Sequence, residues 1–242
     1  MRYIYLSPHL DDAVLSAGGL IYEQTQAGIP VEIWTIMCGF PMENEISPLA
    51  QKLHTEWGFS SAKETVEQRR LENMNALSII GAKAIHFDFL DCIYRRGKNG
   101  DWLYADNIFD PPHAEEVDLP AEIAKVMTSR LQPDDVLVCQ LTVGNHVDHV
   151  TVRKAAELLK RPLLYDADIP YLLNHPDELG SKTVGMKEKV YSVSEAGLKS
   201  WQEAIAAYKS QMAVLFEGPE LMREKILAYW SEHQGIRFWK FE

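Results

Sequence analysis

Histidine and carboxylate side chains come together twice in this 242-residue chain, at spacings that suit metal chemistry. The first cluster is Ser7-Pro8-His9-Leu10-Asp11-Asp12, and the second is Gly144-Asn145-His146-Val147-Asp148-His149. Imidazole nitrogens and carboxylate oxygens are ligands of zinc and neighbouring divalent metals. Catalytic zinc is held by three protein ligands and keeps one position for water. The two clusters together can supply such a set.

Each cluster taken alone also has a plain structural interpretation. Asp11 or Asp12 could cap a helix that begins near Ala13, since Asp is a common N-cap residue. The second cluster could be an Asp or Asn cap followed by a histidine that faces solvent. The residue types leave both interpretations open at this point.

Strands and helices alternate along the chain, and these elements must position the clusters. Strands are predicted at Arg2–Leu6, Val31–Met37, Ala84–Phe89, Val136–Gln140 and Pro162–Tyr165; helices are predicted at Ala13–Gln26, Thr65–Ile80, Leu119–Leu131, Asp148–Leu159, Ser194–Ala213 and Pro219–Glu232. This alternation predicts an α/β fold with a Rossmann-like, mostly parallel sheet flanked by helices. We expect one domain over residues 1–242, with the helices from about residue 194 packed on it.

The polar clusters follow predicted strands. His9, Asp11 and Asp12 come after the first strand, Asp91 follows a middle strand, and the second cluster follows a later one. Ligands of such sheets bind beyond the carboxyl ends of the strands, so we expect one shared site. Two irregular segments, 38–61 with a short helix near Ala50–His54 and 94–112, are expected to set substrate specificity.

Composition argues against several classes of partner. Lys and Arg number 24 against 35 Asp and Glu, which gives a net charge of −11 and disfavours nucleic acid or an anionic membrane surface. The apolar runs are of strand length, too short for a membrane span. Three cysteines without a pairing or metal-type spacing suit buried thiols in a reducing cytoplasm. The sequence leaves the oligomeric state open, a homo-oligomer included.

The two clusters and their separation resemble the PIG-L/LmbE-like family of zinc-dependent N-deacetylases. Weaker matches follow in the expected order at Arg69-x-x-Glu72, Gly81, Phe89-Leu90-Asp91 and Tyr208-Lys209-Ser210-Gln211. The resemblance implies an enzyme that removes an N-acetyl or other N-acyl group from a small amino-sugar conjugate. It implies one Zn²⁺ per chain held by His9, Asp12 and His149, although the ligand set also suits Fe²⁺, cobalt or nickel.

The resemblance also assigns roles to four further residues. Asp11 matches the general base that takes a proton from the zinc-activated water, and a protonated His146 is expected to stabilise the oxyanion. Arg69 matches a substrate-contacting arginine, with Arg70 adjacent, and Asp91 matches a position near the sugar. From the residues alone, Arg69 could instead pair with a Glu of its own helix, and Asp91 could form a turn.

Some features depart from the family pattern or leave a different function open. Leu10 and Ala13 stand where the commoner motif has Pro and Glu, which puts the surroundings of the ligands and the substrate preference in doubt. A phosphoesterase on the same fold is one alternative, and an inactive sugar- or nucleotide-binding relative is another. Trp57 or Trp102 could stack on a sugar face. Gly18-Gly19 is expected to allow close approach of the first helix to the sheet.

Overall fold

A computed structural model describes residues 1–42 and 46–241 and shows one mixed α/β sheet. Within this described part the sheet has seven strands, in the order β3-β2-β1-β4-β5-β7-β6. The strands are β1 (Arg2–Ser7), β2 (Val31–Met37), β3 (Lys83–Phe89), β4 (Asp135–Gln140), β5 (Leu163–Asp166), β6 (Met186–Ser192) and β7 (Gly235–Phe241). The first five pair in parallel, whereas β7 is antiparallel to both β5 and β6. The predicted fold class is confirmed.

Helices cover both faces of the sheet. They are α1 (Asp12–Gln26), α2 (Pro48–Trp57), α3 (Ala62–Ile80), α4 (Leu119–Thr128), α5 (Val147–Leu158), α6 (Tyr171–Asn174), α7 (Leu179–Lys182), α8 (Glu195–Ala206), α9 (Lys209–Phe216) and α10 (Pro219–His233). In the described residues, none of them has the length and apolar character that crossing a membrane requires. The three cysteines are buried free thiols, as predicted.

The central strands are apolar because they are buried on both faces. Every residue of β2 is buried, and its neighbour β1 pairs in register with it from Tyr3 opposite Val31 to Ser7 opposite Thr35. Continuous runs of this kind are typical of parallel strands covered by helices on each side. The rigid centre of the sheet therefore lies directly below the loops that follow β1 and β4.

The glycine pair in α1 serves a helix–helix contact. A Cβ atom at Gly18 would lie 2.6 Å from the Trp201 ring of α8, and one at Gly19 would lie 2.9 Å from Val193. The Trp201 indole nitrogen donates to the carbonyl of Val14 at 2.8 Å. The prediction that these glycines allow approach to the sheet was therefore wrong, since the close neighbour is α8.

The C-terminal part departs most from the predicted elements. The single helix predicted over Ser194–Ala213 is broken into α8 and α9, because Tyr208 leaves helical geometry (ψ 65°) and Glu72 binds the backbone and hydroxyl of Ser210. Strand β6 was not predicted, because most of its residues are exposed at the sheet edge and show no apolar alternation.

The helix predicted near Ala50–His54 is longer than expected. It runs over Pro48–Trp57, begins at a Ser47 cap and ends at Gly58 in the left-handed region (φ 81°). Residues 43–45 of the same predicted segment lie outside the described residues.

Candidate metal centre and active site

The two polar clusters meet at one point on the carboxyl edge of the sheet. One follows β1 and the other follows β4, and these strands are neighbours from which the chain winds in opposite directions. A crevice forms at such a switch point because successive helices lie on opposite faces. His9, Asp11, Asp12, His146 and His149 are all buried there. The predicted site residues are thus brought together.

Neither aspartate of the first cluster is used to cap α1. Within the described residues, the Asp11 side chain makes no capping hydrogen bond, and the hydroxyl of Ser7 accepts the N–H of Ala13 at 3.1 Å. Asp12 Oδ2 accepts the backbone N–H of His9 at 2.6 Å, which draws this carboxylate back over the loop. The helix-cap interpretation is therefore wrong, and both carboxylates remain available to the site.

Three ligand atoms converge on one position. His9 Nδ1 lies 3.3 Å from Asp12 Oδ2, and His149 Nε2 lies 3.4 Å from Asp12 Oδ1. Tetrahedral zinc with bonds of about 2.0–2.1 Å spaces its ligand atoms about 3.3–3.4 Å apart. His149 Nε2 is buried and has no hydrogen-bond partner in the described part of the chain, as expected of an atom that faces a metal. These residues fit a single zinc ion.

The second nitrogen of each ligand histidine is held by a buried carboxylate. His9 Nε2 lies 3.1 Å from Asp148 Oδ2, and His149 Nδ1 lies 2.8 Å from Asp168 Oδ1. Asp168 is fixed in turn, because its other oxygen accepts the N–H of Val143 at 3.0 Å. Donation of N–H to a carboxylate leaves the opposite ring nitrogen unprotonated and turned toward the metal position.

The electrostatics of the metal-free site favour a positive charge at this point. Burial lowers the pKa of His149, but the carboxylates of Asp12 and Asp168 raise it further, to a net value of about 10. Burial also lowers the pKa of His9, but the carboxylates of Asp12 and Asp91 raise it more, so the net pKa is well above the ordinary value. The carboxylates around the two histidines thus favour positive charge at this position, as a divalent cation would supply.

Asp11 lies beside this position and is paired with an arginine. Its Oδ1 is 3.4 Å from Arg69 Nη2, and both side chains are buried. Burial raises the pKa of Asp11, Arg69 lowers it and Asp12 raises it again, so that the net pKa is above the ordinary value. A carboxylate with a raised pKa can accept a proton from water and later return it.

His146 is held as a neutral hydrogen-bond donor. Its Nδ1 accepts the N–H of Asp148 at 3.2 Å and caps α5, so the proton of the ring is on Nε2. Burial, together with His9 and His149, lowers its pKa well below the ordinary value. The expectation of a protonated His146 is therefore wrong for this arrangement, but a neutral ring still presents one N–H.

A cavity of about 420 Å³ opens above the cluster. Arg69 and Asp91 both line it, whereas Arg70 turns away and donates to the carbonyl of Cys38 at 2.6 Å. Asp91 Oδ1 accepts the N–H of Ile93 at 3.2 Å and the thiol of Cys92 at 3.5 Å, while Oδ2 lies 3.9 Å from His9 Nε2. The choice of Arg69 over Arg70 is supported by this geometry.

The tryptophans predicted as sugar contacts differ in position. Trp57 lines the cavity, and the guanidinium of Arg69 stacks 4.8 Å from its ring centre. Trp102 is not among the described residues that line the cavity, and Arg96 stacks on it at 3.6 Å. Only Trp57 is therefore placed to meet a bound sugar.

Sequence reasoning missed several residues of the site. Asp168 could have been noticed, because Asp166-Ala167-Asp168 follows a predicted strand in the same way as the first cluster. The apolar wall carries no local signal, since its members come from separate elements; it consists of Leu15, Leu53, Trp57, Ile93, Ile108, Phe109, Pro170, Tyr171, Val214 and Leu215. His175 also lines the cavity.

The fold and the site together define a class of Rossmann-like α/β proteins with a His/Asp metal centre at the switch point. The family model of PIG-L, described as GlcNAc-PI de-N-acetylase, matches residues 4–159. Because this match covers more than half of the chain, the chain belongs to the PIG-L family.

Individual relatives extend the match beyond the region of the family model. A 2'-N-acetylparomamine deacetylase from Niallia circulans is 25% identical over 236 residues, covering 88% of this chain and 82% of that protein. The structure of the zinc inhibited form of teicoplanin deacetylase Orf2 is similar, with a TM-score of 0.85, 29% identity and coverage of 99% of this chain and 97% of that one. The A40926 pseudoaglycone deacetylase Dbv21 gives a TM-score of 0.77 at 27% identity, covering 99% and 96% of the two chains.

Proposed function

We propose that this protein is a zinc-dependent N-deacetylase that hydrolyses the N-acetyl group of an amino-sugar conjugate. The observation that carries the proposal is the convergence of His9 Nδ1, Asp12 and His149 Nε2 on one position, with the carboxylate of Asp11 beside it and not used as a helix cap. The deacetylase relatives and the zinc named for teicoplanin deacetylase Orf2 support the same conclusion.

The proposed reaction uses Asp11 as the base. When bound, zinc supplies Lewis acidity, which lowers the pKa of a water and polarises the amide carbonyl. Asp11 takes one proton from the attacking water as the water oxygen bonds to the amide carbonyl carbon. Arg69, at 3.4 Å, holds the carboxylate in place and favours its ionised form before the reaction. Asp11 then gives the proton to the nitrogen as the C–N bond breaks, which yields acetate and a free amine.

His146 is proposed to stabilise the charge on the carbonyl oxygen. Its ring lies beside those of His9 and His149, at centroid distances of 4.7 and 5.0 Å. The Nε2–H donor is fixed before substrate arrives, because the Asp148 N–H holds the opposite nitrogen. One such donor contributes roughly 3–4 kcal/mol to stabilising the oxyanion.

The cavity supports a substrate whose sugar carries an apolar group. Arg69, Asp91 and Trp57 are proposed to contact the sugar, while the apolar wall extends outward to Phe109 and Val214, which remain 47% and 46% exposed. A partly exposed apolar rim can bury an aromatic or alkyl aglycone. We place the enzyme in the cytoplasm, consistent with its free, buried cysteines.

The geometry does not favour a two-metal phosphoesterase. Other groups of potential ligands in the described residues reuse His9, His146 or Asp148, and Asp148 is already paired with Arg95 at 2.7 Å. One cation therefore satisfies the site.

Metal-quantified protein should be incubated with three N-acetylglucosamine compounds, carrying methyl, aromatic or polycationic aglycones, and acetate release should be measured. We expect release from the panel, fastest with the aromatic aglycone. An aryl phosphate serves as the control for the phosphoesterase alternative. Phosphate release without acetate release by the zinc-loaded protein would refute the proposal, and metal binding without any turnover would indicate an inactive relative.

A further inference from the structure

A row of buried charged side chains leads from His9 away from the cavity. Asp148 Oδ2 lies 3.1 Å from His9 Nε2, and Asp148 Oδ1 lies 2.7 Å from Arg95 Nη1. Arg95 Nε lies 2.7 Å from Glu116 Oε1, and Glu116 Oε2 accepts the hydroxyl of Tyr104 at 2.6 Å. The side chains of Arg95 and Asp148 are 8% and 0% exposed, so these pairs are shielded from solvent.

Arg95 is held at a fixed distance from the metal ligands. Its Nη1 also donates to the carbonyl of Leu90 at 3.3 Å, and its guanidinium lies 5.2 Å from the Tyr104 ring centre. Among the described residues it is absent from the lining of the cavity, so it does not meet substrate there. The ion pair with Asp148 is the contact that joins Arg95 to a side chain bonded to His9.

Asp148 can hold His9 only if it stays in place as an anion. Its Oδ2 is shared between the His9 ring and the backbone N–H of Cys92, at 3.1 and 3.0 Å. A buried carboxylate is stable as an ion only with a close cation and well-placed donors. Arg95 is that cation, because its Nη1 lies 2.7 Å from Asp148 Oδ1 in an ion pair that holds the carboxylate beside His9.

We propose that Arg95 is a positioning residue of the metal centre, which orients Asp148 and thereby keeps His9 Nδ1 turned toward Asp12 and His149. This inference rests on the proposed metal site and assigns to Arg95 a role that the paired clusters do not reveal. A purely structural Arg95 would contribute to stability and leave metal affinity unchanged, and this difference provides the test.

The test compares Arg95→Met with Arg96→Met. Arg96 is a matched control, because it is the next residue and stacks on Trp102 while donating to the carbonyl of Gly100. Cobalt affinity is measured by chelator competition, and the absorption spectrum of bound cobalt reports its ligand set. We expect Arg95→Met to bind cobalt about 10-fold more weakly, at the lower end of the effects seen for groups that orient metal ligands. Arg96→Met should match the wild type; equal affinity and spectrum for Arg95→Met would overturn the proposal.

Loss of Arg95 also leaves two buried carboxylates without a cation, so folding is checked by circular dichroism and Arg95→Lys is measured in parallel. Lysine keeps the charge but loses the guanidinium contacts with the Leu90 carbonyl and the Tyr104 ring that fix it beside Asp148, so this variant should fold and still bind cobalt more weakly than the wild type. Wild-type affinity in Arg95→Lys would overturn the proposal.

A double-variant cycle with Asp148→Asn tests the route of the effect. Because Arg95 acts through Asp148, adding Arg95→Lys to Asp148→Asn should cause no further loss of cobalt affinity. If the losses of cobalt affinity caused by the two single changes multiply in the double variant, the proposal is overturned. Cobalt binding by a wild type that releases no acetate would contradict only the deacetylase function, whereas a wild type that binds no cobalt would overturn both.

Discussion

The carboxylate of Asp168 should control how tightly the protein binds its metal. Asp168 Oδ1 lies 2.8 Å from His149 Nδ1, and both side chains are almost fully buried. A hydrogen bond to a charged group contributes about 1.5–3 kcal/mol. Asp168→Asn removes the charge and can present an amide N–H to a ring N–H. We therefore expect zinc affinity to fall roughly 10- to 100-fold, since each 1.4 kcal/mol corresponds to about a factor of ten.

Asp166 provides the matched control for this prediction. It is buried two residues away, and burial together with the nearby Asp168 raises its pKa well above the ordinary value. Asp166 Oδ1 accepts the backbone N–H of Asp168 at 3.1 Å, and an Asn of the same shape can accept it too, so Asp166→Asn should change zinc affinity little. Affinities are measured by competition with a chelator. Wild-type affinity in Asp168→Asn, or an equal loss in Asp166→Asn, would refute the reasoning.

Three further predictions concern pH, the loop after β1 and the cavity rim. Burial lowers and nearby carboxylates raise the pKa of His149, to about 10 folded against 6.5 as the ordinary value, so the contribution of His149 to the stability of the metal-free protein is complete below pH 6.5 and is lost as the pH rises toward 10. Thermal unfolding across this range should show a falling Tm, and saturating zinc should abolish the fall. Tyr208→Phe removes the 3.0 Å bond to the Leu10 carbonyl but leaves the Asn73 donor at 2.6 Å, so urea unfolding should show a loss of about 1 kcal/mol. Phe109→Ala should lower kcat/KM for an aromatic glycoside about 10-fold and for the methyl glycoside less, because the ring packs on His146 and Tyr171 but its exposed part can cover an aromatic aglycone; equal losses for both would contradict the apolar-rim assignment.

The sequence was sufficient to predict the strands and site residues that follow from local residue patterns. Buried parallel strands such as β2 are continuous apolar runs in the sequence. His and Asp residues directly after such a run mark the carboxyl end of the strand. Both clusters were therefore found, and the sheet order brings them to the same switch point. The edge strand β6 was not predicted, because its conformation depends on pairing with β7 and its sequence shows no apolar alternation.

Contacts between distant segments could not be predicted from local patterns. Asp168 reaches His149 from the end of β5, and Arg95 reaches Asp148 from a segment more than fifty residues earlier in the chain. The pKa of His146 also depends on tertiary structure, because burial together with the distant His9 and nearby His149 lowers it. Spacing thus indicated the candidate ligands, while the groups that orient them emerged only from the fold.

The central claim is that His9, Asp12 and His149 hold one zinc ion and that Asp11 is the base beside it. The most direct test measures metal content and acetate release for the wild type, Asp11→Asn and His149→Ala. We predict about one zinc per chain in the wild type and in Asp11→Asn, whose activity should fall at least about 100-fold, and loss of both metal and activity in His149→Ala. Undiminished acetate release by Asp11→Asn, or a wild type that binds no divalent metal after reconstitution, would contradict the claim.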